Sequence, residues 1–210
     1  MITTENPPRG DGGAADLFAS LPVVDEAANQ RLHATLLARA EADDLLDVAY
    51  RTIDTPVGQL LVAATDQGLV RVAYAREGHD AILAALAEKI SPRILAAPGR
   101  LDTVAREIDE YFAGSRTRFD LPLDYRLSAG FRRQVLDRLP DIAYGTTATY
   151  ATVARLAGSP RAVRAVGTAC ATNPLPIVVP CHRVVRSDGT PGGYAGGPAA
   201  KVALLGLESQ

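Results

Sequence analysis

Cysteine is scarce: Cys170 and Cys181 are the two in 210 residues. That excludes a disulfide framework and a zinc site built from four cysteines. Tryptophan is absent altogether. No apolar run approaches the roughly 20 residues that a membrane span takes, so no contact with a membrane is expected. Met1 to Gly13 has neither a basic n-region nor an apolar h-region, so no secretory signal is expected and the cytoplasm is the expected compartment. What remains, 47% hydrophobic and 22% charged residues, is the mix of an ordinary soluble globule. The length suits one or two small domains. The net charge of -2 hides an asymmetry: residues 1–120 hold 12 Lys/Arg against 19 Asp/Glu, whereas residues 121–210 hold 10 against 5. Nine of those 10 cations are arginine, the side chain suited to phosphate and to base edges. A basic back half points to an anionic partner, although the same imbalance is common in enzymes that have none.

Residues 1–14 are rich in Pro, Gly and polar side chains and read as a disordered tail. Leucines follow at Leu17 and Leu21, and Glu26–Leu46 is Ala-rich and free of Gly and Pro, so one or two helices are expected there. Residues 1–47 thus form an extension whose role is not legible. From Val48 the period changes. Val48–Ile53, Gly58–Thr65 and Leu69–Ala75 read as an antiparallel meander with Gly- and Pro-containing turns, and Arg93–Ala97 as a further strand. Asp80–Ile90 and Leu101–Ala113 carry helical spacing, the second with Asp102 or Thr103 as cap and Gly114 as stop. Residues 48–124 are therefore an expected α+β domain.

Residues 125–210 read as mostly helical. Ser128 is placed to cap a helix that stops at Pro140, and Thr149 to cap Tyr150–Ala157. Pro160 sits where the first turn of a helix from Arg161 to about Thr172 would begin. Two helices joined by Gly158-Ser159 have the proportions of a helix-turn-helix, a weak signal alone. Ala199–Leu207 reads as a closing helix, with Glu208 near its end.

The chemistry concentrates in Pro176–Val185, where an apolar run ends at Pro180 and presents Cys181 beside His182 and Arg183. A thiol becomes a nucleophile by losing its proton, and a neighbouring imidazole or cation helps. Cys170, within a helix and with no ionisable neighbour in sequence, reads as a small buried hydrophobe. Between Ser187 and Gly197, five of eleven residues are glycine, as in a segment that lets something approach its backbone.

The unbroken Pro180-Cys-His-Arg-Val184, with Arg164-Ala-Val-Gly167, Asn173-Pro174, Gly193-Tyr194 and Glu208 around it, closely resembles the O6-alkylguanine-DNA alkyltransferases, the methylated-DNA–protein-cysteine methyltransferases. Tyr144-Gly145, Thr149-Tyr150, Tyr111–Gly114 and Pro122–Asp124 fit the same pattern, so the resemblance runs from about residue 48 to the end. It implies a ribonuclease H-like front domain and a back domain with a helix-turn-helix of winged-helix type. It also implies direct repair of double-stranded DNA bearing O6-alkylguanine, with no cofactor, in a single irreversible transfer by a chain expected to be a monomer.

In that scheme the base is flipped out of the stack. Arg164 fills the vacated space. Ala162 and Ala165 allow close approach, and Arg161 and Thr149 also face the DNA. Cys181 accepts the alkyl group, His182 takes the thiol proton through a water, Glu208 orients the imidazole, and Asn173 fixes the turn. Tyr150 protonates the leaving base. The pocket is expected from Tyr150, Val184, Tyr194, Ala195, Gly193 and Cys170. The scheme needs a sulfur that substrate can reach.

The chain departs from the family pattern in places. Ala195 stands where some relatives have Ser, Arg132 where Gln is frequent, Thr172 where Gly is common, and Ile142-Ala143 opens the Tyr144-Gly145 motif. The front domain has no cysteine, and the front half of the chain has only His33 and His79, so no metal is expected. The zinc-binding sensor domain of adaptive-response relatives is not recognisable, which argues against a transcriptional regulator. Three rival readings stay open: a lesion sensor of the alkyltransferase-like kind, a plain DNA-binding module, and a thiol enzyme acting on a small molecule.

Overall fold

The computed structural model describes residues 25–209. The tail 1–14, Leu17 and Leu21 lie outside the described residues. Helix α1 (Glu26–Ala42) covers most of the Ala-rich run, with Glu26 in its first turn and Arg39 in its last, each opposing the helix dipole. It belongs to a unit that ends at Ala42, and the chain from Asp43 onward forms a second unit.

The second unit opens with β1 (Val48–Ile53), β2 (Leu60–Thr65) and β3 (Gly68–Tyr74), paired antiparallel as the alternating turns predict. The fully antiparallel sheet expected from sequence needs correction. Strand β4 (Ile94–Ala96) lies parallel to β1, with Val48 opposite Ile94, so the sheet is mixed, in the order β3-β2-β1-β4. A parallel return requires a crossover, and α2 (His79–Lys89) supplies it. Leu86 of α2, flanked by Ile82 and Leu83, packs on Val48, Leu61, Ala63, Val70 and Ala73 of the sheet.

The free edge of β3 is covered by later parts of the chain, which removes a hazard of exposed strands. The Pro122 carbonyl accepts from the Leu69 amide at 2.8 Å, and the Pro174 carbonyl accepts from the Val72 amide at 2.8 Å. Gly68 permits the first contact: a Cβ there would fall 2.3 Å from the Pro122 oxygen. The first bond ties the linker, and the second the segment before Cys181, to the front sheet. Helix α3 (Asp102–Phe112) buries Val104, Ile108 and Tyr111 and carries Tyr111 toward the helical part. Neither Asp102 nor Thr103 caps it, because a 3-10 turn, Pro98–Leu101, leads into the helix; Asp102 pairs with Arg51 instead, at 2.8 Å.

In the helical part, α4 (Gly130–Arg138), α5 (Tyr150–Leu156) and α6 (Val163–Ala171) pack on one another and bury Val135, Leu136, Val153, Ala154, Val166 and Ala169. Thr149 caps α5 as expected, its hydroxyl accepting from the Thr152 amide at 3.1 Å. Ser128 does not cap α4. Ala129 takes that position, and the Ser128 hydroxyl is buried without a partner among the described residues. Helix α6 begins two residues later than expected, because a turn closed by the Ala162 amide on the Ser159 carbonyl at 2.9 Å holds Pro160 and Arg161 outside it. A short parallel pair, β5 (Ala148–Thr149) with β6 (Val184–Val185), sets the start of α5 beside the residues that follow Cys181. The closing helix α7 (Gly197–Glu208) is longer than expected at both ends.

Candidate active site

One amide organises the thiol. Asn173, just past α6, accepts from the Leu175 amide at 2.9 Å through Oδ1. Its Nδ2 donates to the Val179 carbonyl at 2.9 Å and to Cys181 Sγ at 3.1 Å. It thereby clamps both ends of the segment 173–181 and aims an N–H at the sulfur. Within that segment Ile177 is buried with φ of 74°, a conformation costing on the order of 1–3 kcal/mol for a β-branched residue.

The sulfur is covered. Cys181 is 1% exposed, so the accessibility that the sequence reading requires is not met in this structure. Burial pushes the thiol up to about 11, against the opposing pull of the Asn173 N–H and of the Lys201 charge. Tyr74, Tyr150 and Tyr194 lie close enough to couple electrostatically to it.

Beside the thiol lies a second cluster, built on Glu208 at the end of α7. Its carboxylate accepts from His182 Nε2 at 2.8 Å, Arg183 Nε at 2.8 Å, Arg183 Nη2 at 3.0 Å, Tyr111 Oη at 2.8 Å and the Gly145 amide at 3.3 Å. Burial alone would raise its pKa, but the bonds from His182, Arg183 and Tyr111 overcome this and hold the carboxyl at about 2. An ionised carboxylate only accepts, so the His182 proton sits on Nε2. Burial keeps the imidazole from charging, against the pull of Glu208. Its Nδ1 is buried without a partner among the described residues. A neutral ring with one free nitrogen is the form a general base requires. His182 and Cys181 share no direct hydrogen bond. The structure thus joins His182 to Glu208 and Asn173 to Cys181, and sets these two pairs on adjacent residues.

The expected pocket residues fall around this core. Cys170 is buried, and burial raises its thiol well above the ordinary range. Burial also raises Tyr150, with the two cysteines pushing the same way, so its hydroxyl keeps its proton at neutral pH. Tyr194 is buried, with its ring edge-on to His182 at 6.2 Å between centroids. Ala195 is half-buried beside it. Gly193 has open space where a side chain would stand; the close approach belongs to Gly192, whose Cβ would fall 2.0 Å from the Tyr150 hydroxyl. The carbonyls of Cys181 and Val184 are each engaged already, the first by the Val184 amide and the second by Lys201 Nζ at 2.5 Å. Each keeps a second lone pair.

On α6, Arg164 and Ala165 are exposed; in the turn before it Ala162 is half-buried and Arg161 exposed, and Thr149 is half-buried as the cap of α5. The Arg164 guanidinium has no hydrogen bond among the described residues, so its charge is directed outward.

Sequence reasoning missed four residues. Tyr111, which the sequence marks only as the start of the Tyr111–Gly114 pattern, hydrogen-bonds Glu208. Arg183, which stands beside the thiol in sequence, is the ion-pair partner of Glu208. Lys201 is fully buried, with its ammonium near both cysteines. Tyr74 donates to or accepts from Tyr194. Only Lys201 left a signal: it repeats with Leu204 and Glu208 at helical spacing on the buried side of α7.

Residues 48–125 match the family model described as the ribonuclease-like domain of 6-O-methylguanine DNA methyltransferase, and residues 130–210 match its DNA binding domain. A methylated-DNA–protein-cysteine methyltransferase of Mycolicibacterium paratuberculosis is 39% identical over 161 residues, spanning 77% of this chain and 92% of the relative. The constitutive one of Bacillus subtilis is 36% identical, over 76% and 94%. A crystal structure of Mycobacterium tuberculosis OGT in complex with DNA aligns with a TM-score of 0.66 at 38% identity, over 77% of this chain and 92% of that one. The chain belongs to the methylated-DNA–protein-cysteine methyltransferases, the 6-O-methylguanine DNA methyltransferase family of DNA repair proteins.

Proposed function

We propose that the chain transfers an alkyl group from O6 of guanine in duplex DNA to its own Cys181, once per molecule. The observation that carries this reading is the juxtaposition of a thiol held by Asn173 with a neutral imidazole oriented by Glu208. The Cys181 proton passes to His182 Nδ1 by way of a water. The sulfur attacks the alkyl carbon, the S–C bond forms, and the C–O6 bond breaks. The departing guanine takes a proton from Tyr150 and leaves as the neutral base. A thioether has no ready route to hydrolysis, so the acceptor is consumed.

The buried sulfur adds a requirement: the glycine-rich wall around Tyr194 must move before a base can enter. Base extrusion falls to Arg164, whose unpaired guanidinium on α6 supports insertion into the vacated stack. Ala162 and Ala165 give the backbone room to approach. Val184, Ala195 and Gly193 offer main-chain groups to the base, and Cys170 fills space behind it.

The test is direct. Incubated with duplex DNA carrying O6-methylguanine, the protein should gain about 14 Da, one methyl by covalent arithmetic, mapping to Cys181. DNA binding without a mass gain would sink the reading in favour of a lesion sensor. Arg164→Ala should slow repair of the duplex more than reaction with free O6-benzylguanine; equal slowing refutes the extrusion role.

A further inference from the structure

A cavity of about 560 Å³ lies between the front sheet and the helical part, with Asn173 in its wall. Its wall carries four cations, Arg71 on β3, Lys89 at the end of α2, Arg126 in the linker and Arg132 on α4, against one carboxylate, Glu77. The C-terminal end of α6, at Ala171, completes it. Glu77 holds Arg71, and Asp124 holds Arg126 at 2.5 Å. Arg132 donates to the Leu127 carbonyl and keeps further N–H groups free. Neither Lys89 nor Arg132 has an ion-pair partner among the described residues. Of these cations none bonds to a residue of the acceptor site.

Like charges gathered in a concave wall repel, and a bound anion offsets that repulsion. Arginine forks suit the oxygens of a phosphate. The position along α6 indicates the source. From Arg164 to Ala171 the helix advances about 10 Å at roughly 1.5 Å per residue. One DNA strand offers a phosphate about every 3.4 Å. Resting on the functional reading above, we propose that this cavity takes a backbone phosphodiester of the same duplex, about three nucleotides from the extruded base. The front domain thereby becomes part of the DNA footprint.

The experiment uses the full chain with Lys89→Gln, Arg132→Gln, the double variant, and Lys89→Arg as a charge-preserving control. Affinity for unmodified duplex is measured across a salt series. The double variant should lower the slope of log K against log salt by about 0.9, the share of one phosphate, and bind roughly tenfold more weakly at low salt, with each neutral single variant losing part of both. Lys89→Arg should keep the slope, and all variants should react with free O6-benzylguanine at the wild-type rate. An unchanged slope in the double variant overturns the proposal. Calorimetry with inorganic phosphate separates the sources: phosphate binding that the double variant loses, together with an unchanged DNA slope, would mark a free-anion site and overturn it too. Loss of reaction with the free base in both single variants also overturns it, because the cavity would then serve the acceptor site. If the wild-type chain transfers no alkyl group, the functional reading falls while the salt slope still decides the cavity.

Discussion

The hydroxyls of Tyr74 and Tyr194 meet at 3.0 Å, both rings are buried, and they come from opposite ends of the second unit, on β3 and in the glycine-rich segment before α7. The rings cross nearly edge-on, 5.7 Å apart, and Gly196 lies so close that a Cβ there would sit 2.6 Å from the Tyr74 ring. The front domain thus positions the wall of the pocket.

Tyr74→Phe should leave the Tyr194 hydroxyl buried without its partner. A lost partner in a buried pair costs about 1–3 kcal/mol. The urea midpoint should fall accordingly. Tyr74→Phe combined with Tyr194→Phe should cost less than the two single changes added together. Strict additivity would show that the hydroxyl pair carries no coupling.

The two neighbouring glycines should behave differently. Gly192 has the Tyr150 hydroxyl at 2.0 Å and its Cζ at 2.9 Å from where a Cβ would stand, whereas Gly193 has nothing within 4 Å. Gly192→Ala must displace the Tyr150 ring, and a shift of about 1 Å in a proton donor can cost on the order of 100-fold. Transfer should therefore drop sharply in Gly192→Ala and stay near wild type in Gly193→Ala, with similar melting temperatures. Single-turnover kinetics on O6-methylguanine duplex decides it, and the reverse ranking would refute the steric assignment.

These contrasts also mark what the sequence made legible. Cys181, His182 and Asn173 stand in a contiguous pattern whose chemistry is local, and Thr149 caps its helix by a bond over three residues. Tyr111, Arg183 and Tyr74 act through bonds spanning 97, 25 and 120 positions. No periodicity records such pairings. The parallel β4 escaped for the same reason, since a three-residue strand has no period of its own and takes its direction from the α2 crossover. The starts of α3 and α4 were misplaced because neither helix uses a side-chain cap, so the residue types that favour caps pointed to the wrong positions.

Asn173→Asp separates holding from activating. The carboxylate can still accept from the Leu175 amide, but it no longer donates to Cys181 Sγ. The Asn173 N–H pulls the thiol toward ionisation. Its replacement by a negative group should raise the thiol further, slow transfer near neutral pH, and move the rising limb of the rate profile to higher pH. A slower variant whose pH profile keeps its midpoint would show that Asn173 acts on position alone.

Glu208 links the same cluster to the stability of the fold. Its carboxyl titrates at about 2 in the folded chain against an ordinary 4.5, so its contribution is complete above 4.5 and is lost as pH falls toward 2. His182 is depressed below its ordinary 6.5, chiefly by burial; on acidification the unfolded chain takes up a proton that the folded chain refuses, so stability also declines below 6.5. The wild-type urea midpoint should therefore be level near neutral pH, fall gently below 6.5, and fall more steeply from 4.5. Glu208→Gln keeps the shape but leaves the buried Arg183 charge without a counter-charge, facing only neutral oxygens, that of the new amide and that of the Ile142 carbonyl at 2.7 Å. Breaking a buried pair on one side costs about 3–5 kcal/mol. The variant should lose that much at pH 7 and should lack the steep limb between 4.5 and 2, while the gentler His182 decline remains. Arg183→Met added to Glu208→Gln should restore part of the loss by removing the stranded charge. A variant as stable as wild type at pH 7, or a wild-type midpoint that stays flat from pH 7 to 3, would show that this cluster does not hold the fold.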